Sequence, residues 1–177
     1  PVATGMALSL VRRGEPRAVL CELGDGAVNM GAWHESLNLA AVWRLPVVFL
    51  VINNLYGMGT SVDRASAETD LFKRAGSYRM EGERVDGNDL EEMEAATARL
   101  LKRAREERRP AVLEAVTYRY RGHSVADAGL AYRSKEEIEE HRREDPLART
   151  RELLEARGVP LEGFAAMEAE VEVEVET

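Results

Sequence analysis

Two short apolar runs, each followed at once by a polar turn, constrain the fold of this chain more than any other feature. The first run covers residues 18–23 and ends at Gly24-Asp25-Gly26, and the second covers residues 47–52 and ends at Asn53-Asn54. Short apolar runs of this length are typical of buried parallel strands, and the second run is uninterrupted. The sequence therefore predicts two parallel strands, each with a polar turn at its carboxyl end.

The segment between the two runs has the spacing of a helix that faces a core. Within residues 30–43, apolar side chains recur at helical spacing, at Trp33, Leu37, Ala40 and Ala41. A helix of about 14 residues rises roughly 21 Å, and a strand of six residues returns roughly 20 Å in the opposite direction. The two polar turns should therefore lie at the same edge of the sheet, where parallel α/β folds bind ligands.

The residue types in these two turns indicate a metal and a phosphate. Asp25 would supply a carboxylate and Asn54 an amide oxygen, which are the hard ligands that Mg²⁺ prefers when a phosphate and water complete its shell. Glycines allow a close approach of the backbone to phosphates, and the start of the next helix offers free N–H groups. Either turn alone is common in proteins and does not indicate a binding site, but the two turns at this spacing are a much stronger indication of one.

The rest of the chain continues the alternation of helices and strands. Asp89 with Glu92 three residues later resembles a capping box, and it precedes a helix to about residue 107 and a strand over residues 111–117. This alternation predicts an α/β fold, a three-layer parallel sheet with helices on both faces. Residues 134–142, 146–157 and 160 onward are predicted to form peripheral helices.

The predicted organisation is a binding domain at residues 1–133 followed by peripheral C-terminal helices at residues 134–177. Residues 118–133 form a long polar loop, and a loop of this length in a compact domain is usually functional or disordered. We expect it to be mobile in the absence of phosphates, because its arginine and histidine side chains would lack partners. Trp33 and Trp43 fall at helical spacing and are expected in the core.

Composition excludes several classes of protein. The formal net charge of −8 argues against a nucleic-acid-binding face. No stretch reaches the roughly 18 apolar residues of a membrane helix, and the N-terminus lacks the pattern of a signal peptide. The single Cys21 favours a reducing compartment, so we expect a cytoplasmic protein, or a mitochondrial matrix protein if the source is eukaryotic. Because the chain starts at Pro1 and enters a helix-like run directly, we expect it to be part of a longer protein.

The arrangement of Gly-Asp-Gly, 26 further residues and then Asn resembles the thiamin diphosphate motif. Three segments make the resemblance specific to one family of thiamin diphosphate enzymes. They are GDGAVNMGAWHESLNLAAVWRLPVVFLVINNLYGMGTSV, RVDGND and TYRYRGHSVADAGLAYRSKEEIEEHRREDPL. In matched order over residues 1–157, the chain resembles the alpha subunits of the heterotetrameric 2-oxo acid dehydrogenases, most closely those of the pyruvate dehydrogenase type. These subunits are about twice as long, so the resemblance implies a thiamin diphosphate-binding fold truncated at its N-terminal side.

The resemblance implies roles for individual residues. Asp25, Asn54 and the backbone carbonyl of Tyr56 match the Mg²⁺ ligands of the family. In the family, the diphosphate is held by backbone groups at the positions that match Gly24, Gly26 and Ala27.

Two further residues match the family on the long loop. Arg119 and His123 would reach the phosphate end of the cofactor and the substrate channel, so His123 is the predicted catalytic residue. Ser124 matches a position that is phosphorylated in mitochondrial relatives, and we expect no phosphorylation in a bacterial chain. For His34 and His141 the expectation is an ordinary helix position without a catalytic role.

The implied activity is the oxidative decarboxylation of pyruvate with acyl transfer to a lipoyl group. The implied partners are a beta subunit in an α2β2 heterotetramer, which supplies the glutamate that activates thiamin diphosphate, the lipoyl domain of a transacylase, and a 2-oxo acid substrate. Branched-chain 2-oxo acids and acetoin remain alternative substrates, and a non-catalytic Mg²⁺-diphosphate-binding remnant is an alternative function. A generic Rossmann nucleotide-binding domain is disfavoured, because no G-x-G-x-x-G follows the first strand.

Overall fold

The main sheet of the protein has four parallel strands. The structure is a computed structural model that describes residues 1–176, apart from the side chains of residues 161 and 162. The four strands are β1 (Val19–Gly24), β2 (Val47–Asn53), β5 (Glu81–Asp86) and β6 (Ala111–Val116), and they lie in the order β1-β2-β6-β5. After β2, two short antiparallel strands form a hairpin, β3 (Tyr56–Gly57) and β4 (Thr60–Ser61).

Helices connect and cover these strands. Within the described residues, the α-helices are α1 (Val2–Arg13), α2 (Gly31–Val42), α3 (Val62–Ala65), α4 (Leu90–Glu107), α5 (Lys135–Arg142), α6 (Pro146–Ala156) and α7 (Leu161–Val175). Two 3₁₀ helices are also present in this part of the chain. One, Asp25–Asn29, begins within the polar turn after β1, and the other, Leu71–Tyr78, precedes β5. None of the helices over residues 1–176 combines the length and the apolar character that a membrane span needs.

The apolar core is divided between the two faces of the sheet. On one face, side chains of α1, α2 and the 3₁₀ helix Leu71–Tyr78 pack against alternate residues of β2, which include Val47, Phe49 and Val51. On the other face, α4 packs against the intervening residues Val48 and Leu50. Because successive strand residues point to opposite faces, an uninterrupted apolar strand is buried on both sides. This three-layer arrangement confirms the predicted α/β fold with a parallel sheet.

The sequence patterns predicted three of the four strands of the main sheet, and β5 is the strand they missed. Its sequence is mostly polar, and only Val85 of β5 belongs to the core beneath α4. Glu81 and Glu83, which lie on the same side of the strand as Val85, pair with arginines of α4 instead. The strand is therefore held by ion pairs along an edge of the sheet and carries no apolar pattern in its sequence.

The two tryptophans differ in their environments. Trp33 is buried, and its ring lies edge-on to that of Phe49 with 5.4 Å between the ring centroids. Trp43, in contrast, lies just beyond the end of α2 and is 47% exposed. The expectation that both belong to the core is therefore wrong for Trp43, because α2 ends one residue before it.

The C-terminal helices form where their sequence patterns predicted them. Helices α5 and α6 contain no buried residue. Helix α6 is attached to the sheet domain by Arg149, which pairs with Asp86 at 2.5 Å and Asp89 at 3.3 Å. A division of the chain at residues 133 and 134 remains a prediction, and residue 177 of the second range lies outside the described residues.

Candidate functional site

The two polar turns lie side by side at the carboxyl edge of the sheet. Strands β1 and β2 pair in a register that places Gly24 opposite Ile52. Asp25 begins the 3₁₀ helix that follows β1, and Asn54 is the first residue after β2. The strand-helix-strand unit therefore brings together the two turns that the sequence singles out.

Asp25 is buried beneath the β3–β4 hairpin. The residue is 5% exposed. A methyl group added at Gly57 would lie 3.6 Å from Oδ2 of Asp25 and 3.3 Å from Cα of Gly26. Glycine at this position therefore allows the backbone of the hairpin to close onto the Gly-Asp-Gly turn.

The electrostatic environment of Asp25 suits a cation. Burial raises the pKa of the carboxyl group, against the opposing effect of the backbone N–H groups of Asp25 and Asn54 and of the charge on Arg119. Burial of a carboxylate costs free energy unless a positive charge compensates for it. A divalent cation at this carboxylate would supply that compensation.

The neighbouring oxygens match the needs of Mg²⁺. In the loop after β2, Oδ1 of Asn54 accepts a hydrogen bond from the backbone N–H of Tyr56 at 3.3 Å. Residues 1–176 hold no cluster of three or more histidine, cysteine or acidic side chains that would suit a metal ion. A cation at this edge would therefore rely on one carboxylate with amide and carbonyl oxygens, a donor set of hard ligands that fits Mg²⁺ with phosphate oxygens in its shell.

Arg119 binds the hairpin directly. Its Nη1 donates to the carbonyl of Tyr56 at 3.3 Å, and its Nη2 donates to the carbonyl of Met58 at 2.6 Å and to the hydroxyl of Tyr132 at 3.1 Å. A carbonyl oxygen has two lone pairs, so the bond to Tyr56 leaves one for a cation. The expectation that the arginines of the loop lack partners before phosphates bind is wrong for Arg119.

Residues 118–133 are ordered by a network centred on Asp127. Its carboxylate accepts from the backbone N–H of His123 at 2.8 Å, from that of Gly129 at 2.7 Å and from the hydroxyl of Tyr132 at 2.7 Å. Arg133 is buried, and its guanidinium donates to the backbone carbonyls of Arg119, Tyr120 and Arg121. The loop therefore has a defined internal structure, and His123 and Ser124 lie on its exposed tip.

Acidification is expected to open this loop. The hydrogen bonds to its carboxylate lower the pKa of Asp127 to about 2, below its ordinary value of 3.8. A lowered pKa means that the stabilisation is complete above pH ~4 and is lost as the pH falls towards ~2. Amide protection factors at His123 and Gly129, measured by hydrogen exchange, should fall in this range.

The variant Asp127→Asn provides the same test at neutral pH. It should reduce protection of at least one of the two amides there, because both carboxylate oxygens of Asp127 accept and asparagine replaces one of them with an NH₂ group. Ser124→Ala, at the exposed tip of the same loop, should leave the protection unchanged. Full protection in Asp127→Asn would contradict the assigned network.

Glu137 of α5 links the C-terminal helices to the site. Its Oε1 accepts from the hydroxyl of Tyr56 at 2.9 Å and from that of Tyr118 at 2.8 Å. Burial and this bond to a carboxylate raise the pKa of Tyr118 to about 12. One carboxylate therefore holds the hairpin after β2, the strand end after β6 and α5 together.

Loss of this carboxylate should destabilise the protein measurably. Glu137→Ala removes the shared acceptor and is expected to lower the free energy of unfolding by about 1–2 kcal/mol in urea denaturation. Glu137→Gln should remain close to the wild type, since its amide oxygen still accepts from both hydroxyls. Glu140→Ala removes an exposed carboxylate from the same helix and is the matched control. Equal stability of Glu137→Ala and Glu140→Ala would show that the shared bond contributes nothing.

A buried polar cluster lies next to the site, and the sequence analysis did not predict it. Glu114 of β6 is fully buried, and its two carboxylate oxygens accept from Nδ2 of Asn53 at 2.7 Å and from the backbone N–H of Phe72 at 3.0 Å. Oδ1 of Asn53 in turn accepts from the backbone N–H of Leu55 at 3.0 Å. A single acidic residue inside the apolar run 111–116 is the signal that predicts such a buried partner.

The predicted site residues have unequal support from this geometry. Asp25, Asn54, Tyr56 and Arg119 lie at one edge of the sheet and are connected through the hairpin. Gly24, Gly26 and Ala27 form the backbone of the adjoining turn, where no side chain caps the start of the 3₁₀ helix. His123 is exposed on the loop tip, so its predicted contact with substrate remains a prediction.

Comparisons with known proteins place this chain in a family of the kind that the motifs predicted. Residues 1–177 match the family described as dehydrogenase E1 component. The pyruvate dehydrogenase E1 component subunit alpha of Rickettsia prowazekii (strain Madrid E) is 44% identical over 154 residues, covering 87% of this chain and 47% of the relative. The somatic, mitochondrial form from Sus scrofa is 40% identical over 178 residues, covering 99% and 45%. The chain therefore spans about half the length of the curated relatives it matches.

A solved structure supports the same fold. It is titled as a putative thiamin diphosphate-dependent enzyme from Mycobacterium smegmatis, and it matches 66% of this chain and 21% of its own length with a TM-score of 0.50. The sequence identity is 24%, so this likeness bears on the fold alone.

Proposed function

The chain belongs to the dehydrogenase E1 component family, and from this premise we propose that it supplies the metal and diphosphate half of a thiamin diphosphate site in a pyruvate dehydrogenase alpha subunit. The observation that carries the proposal is the buried Asp25 carboxylate beneath the glycine of the β3–β4 hairpin. The curated relatives named as pyruvate dehydrogenase alpha subunits favour pyruvate as the substrate.

Different residues of the carboxyl edge are assigned to the metal and to the diphosphate. We assign Mg²⁺ to the carboxylate of Asp25, the amide oxygen of Asn54 and the carbonyl of Tyr56. The diphosphate is assigned to the backbone of the turn, at Gly24, Gly26 and Ala27, where glycine removes side chains that would block its approach.

When bound, thiamin diphosphate supplies the carbon nucleophile for the decarboxylation of a 2-oxo acid and accepts the electrons of the broken bond. The chain's own contribution is to hold and orient charge. Arg119 keeps a positive charge beside the hairpin through its bonds to the carbonyls of Tyr56 and Met58. His123, at the tip of the loop, is assigned to contact with the substrate and the phosphate end of the cofactor.

A partner subunit is part of the proposal. Apolar side chains are exposed on α1, at Val2 and Met6, and on the edge strand β1, at Leu20. We assign these side chains to an interface with other parts of the assembled protein, among them a beta subunit that carries the glutamate for cofactor activation. A lipoyl domain is the proposed acceptor of the acyl group.

The test is an assay of the assembled enzyme. The natural full-length protein should be produced together with the beta-type subunit of its source, and decarboxylation should be measured with pyruvate and with branched-chain 2-oxo acids. We expect turnover with pyruvate that requires both thiamin diphosphate and Mg²⁺. Preferred turnover of a branched 2-oxo acid would reassign the substrate, and no cofactor-dependent turnover with any 2-oxo acid would overturn the proposal.

A further inference from the structure

Three arginines at the amino edge of the sheet have an unusual backbone conformation. Within the described residues, five non-glycine residues have a positive φ, namely Arg44, Leu55, Met58, Arg79 and Arg108. Leu55 and Met58 flank the candidate cofactor site. The other three are all arginines with φ of 50–56°. Glycine adopts this conformation without strain, whereas an L side chain adopts it at a cost, so arginine at these positions carries a conformational penalty.

The three arginines converge on one cavity. Arg44 lies just after α2, Arg79 ends the 3₁₀ helix Leu71–Tyr78, and Arg108 ends α4. Together with Arg109 they line a cavity of about 470 Å³ beside the start of β5 and β6. Because a six-residue strand spans roughly 20 Å, this cavity lies at the end of the sheet opposite to Asp25.

The cavity carries positive charge that the protein itself leaves uncompensated. Nη1 of Arg108 is buried and has no hydrogen-bond partner. Across residues 1–176, Arg79 forms no ion pair, and Arg109 has only a 3.7 Å pair with Glu107. The acidic residue in the lining is Glu81, and its two carboxylate oxygens are already engaged by Arg99 and Arg103 of α4.

Helix capping explains only part of this arrangement. Basic residues are favoured at helix C-termini, where they compensate for free carbonyl groups. Arg44 fits this role, since its Nη2 donates to the carbonyl of Glu107 at 3.4 Å. Arg108 does not, because a capping guanidinium would direct its nitrogens at carbonyls and Nη1 of Arg108 has no acceptor.

We propose that this cavity binds a compact anion with two or more negative charges, carried by phosphate or carboxylate groups. A guanidinium presents paired N–H donors that match either group, and four arginines line the cavity. Asn38, Ser77 and Tyr78 add polar groups to the lining, which suits a ligand with further hydrogen-bonding atoms. The site is separate from the proposed cofactor site and stands independently of it.

The test is calorimetric titration of the full-length protein in its natural assembly with two probes, pyrophosphate and citrate. Magnesium-free buffer and the Asp25→Ala background keep the probes out of the carboxyl-edge site. We expect saturable binding of at least one probe, weakened by added salt. The probe that binds more tightly identifies phosphate or carboxylate as the recognised group. No binding of either probe would overturn the proposal.

Glycine variants separate a binding role from a structural one. Arg79→Gly and Arg108→Gly should each weaken probe binding at least about tenfold, because each removes a charge-assisted contact. Both variants should keep the Tm of the unliganded protein or raise it, since glycine accepts a positive φ. Arg105→Ala removes an exposed arginine from the same end of α4, outside the cavity, and should leave binding unchanged. Undiminished binding in both glycine variants, or a clear loss of Tm in both, would overturn the proposal.

Discussion

Glu114→Ala is expected to lower the free energy of unfolding by about 3 kcal/mol. The carboxylate is fully buried between β2, β6 and the 3₁₀ helix Leu71–Tyr78, and it accepts hydrogen bonds from Asn53 and from the backbone of Phe72. Alanine would leave both donors buried without an acceptor, and an unsatisfied buried donor costs roughly 1–3 kcal/mol. The truncation also leaves a void in a packed interior.

Urea denaturation of the wild type and the variant measures this difference. Glu94→Ala removes a carboxylate from the exposed side of α4 and is the matched control, with an expected change within about 0.5 kcal/mol. A loss below about 1 kcal/mol in Glu114→Ala would mean that the cluster contributes little to stability. Because Asn53 precedes the loop that carries Asn54, the same variant should also loosen the candidate site.

Elements with a strong apolar period were predictable from the sequence. The run 47–52 became β2, buried on both faces, and the stripe that includes Trp33 and Leu37 became α2. The capping interaction at Asp89 is also present, with the backbone N–H of Glu92 donating to its carboxylate at 3.0 Å. In each case the signal is local, because period and capping depend on residues a few positions apart.

Polar contacts between distant residues were not predictable in this way. Strand β5 depends on ion pairs between Glu81 or Glu83 and arginines of α4, and no apolar period marks it. Helix α5 itself was predicted, but its connection to the site through Glu137, which lies 81 positions from Tyr56, was not. One sequence does not show such pairings, because nothing at either position specifies the partner.

The residues of the candidate site also differ in how far the sequence predicted them. Asp25 and Asn54 were predictable because helix and strand lengths place both turns at one edge. The partners of Arg119 were not, since the hairpin carbonyls that it contacts have no signature in the sequence. The interior of the long loop, with Asp127 and Arg133 bonded to its backbone, was likewise hidden in a polar, glycine-containing stretch.

Asp25→Ala is expected to weaken Mg²⁺-dependent binding of thiamin diphosphate at least about a hundredfold. Asp25 is the one charged side chain among the proposed metal ligands, and the oxygens from Asn54 and Tyr56 are neutral. Even the residues that only support metal ligands typically change affinity 10- to 100-fold when altered, so loss of a charged ligand should cost more. The fold should survive, because burial raises the pKa of Asp25 and its ionised form is therefore destabilised without a cation.

Calorimetric titration of thiamin diphosphate into the assembled full-length protein, with and without Mg²⁺, tests the central claim most directly. Asp63→Ala, which removes an exposed carboxylate just after the same hairpin, is the matched control and should bind as the wild type does. We predict saturable, Mg²⁺-dependent binding in the wild type and in Asp63→Ala, and its loss in a folded Asp25→Ala protein. Equal Mg²⁺-dependent affinity in Asp25→Ala and the wild type would contradict the assignment of the metal and diphosphate site to this edge of the sheet.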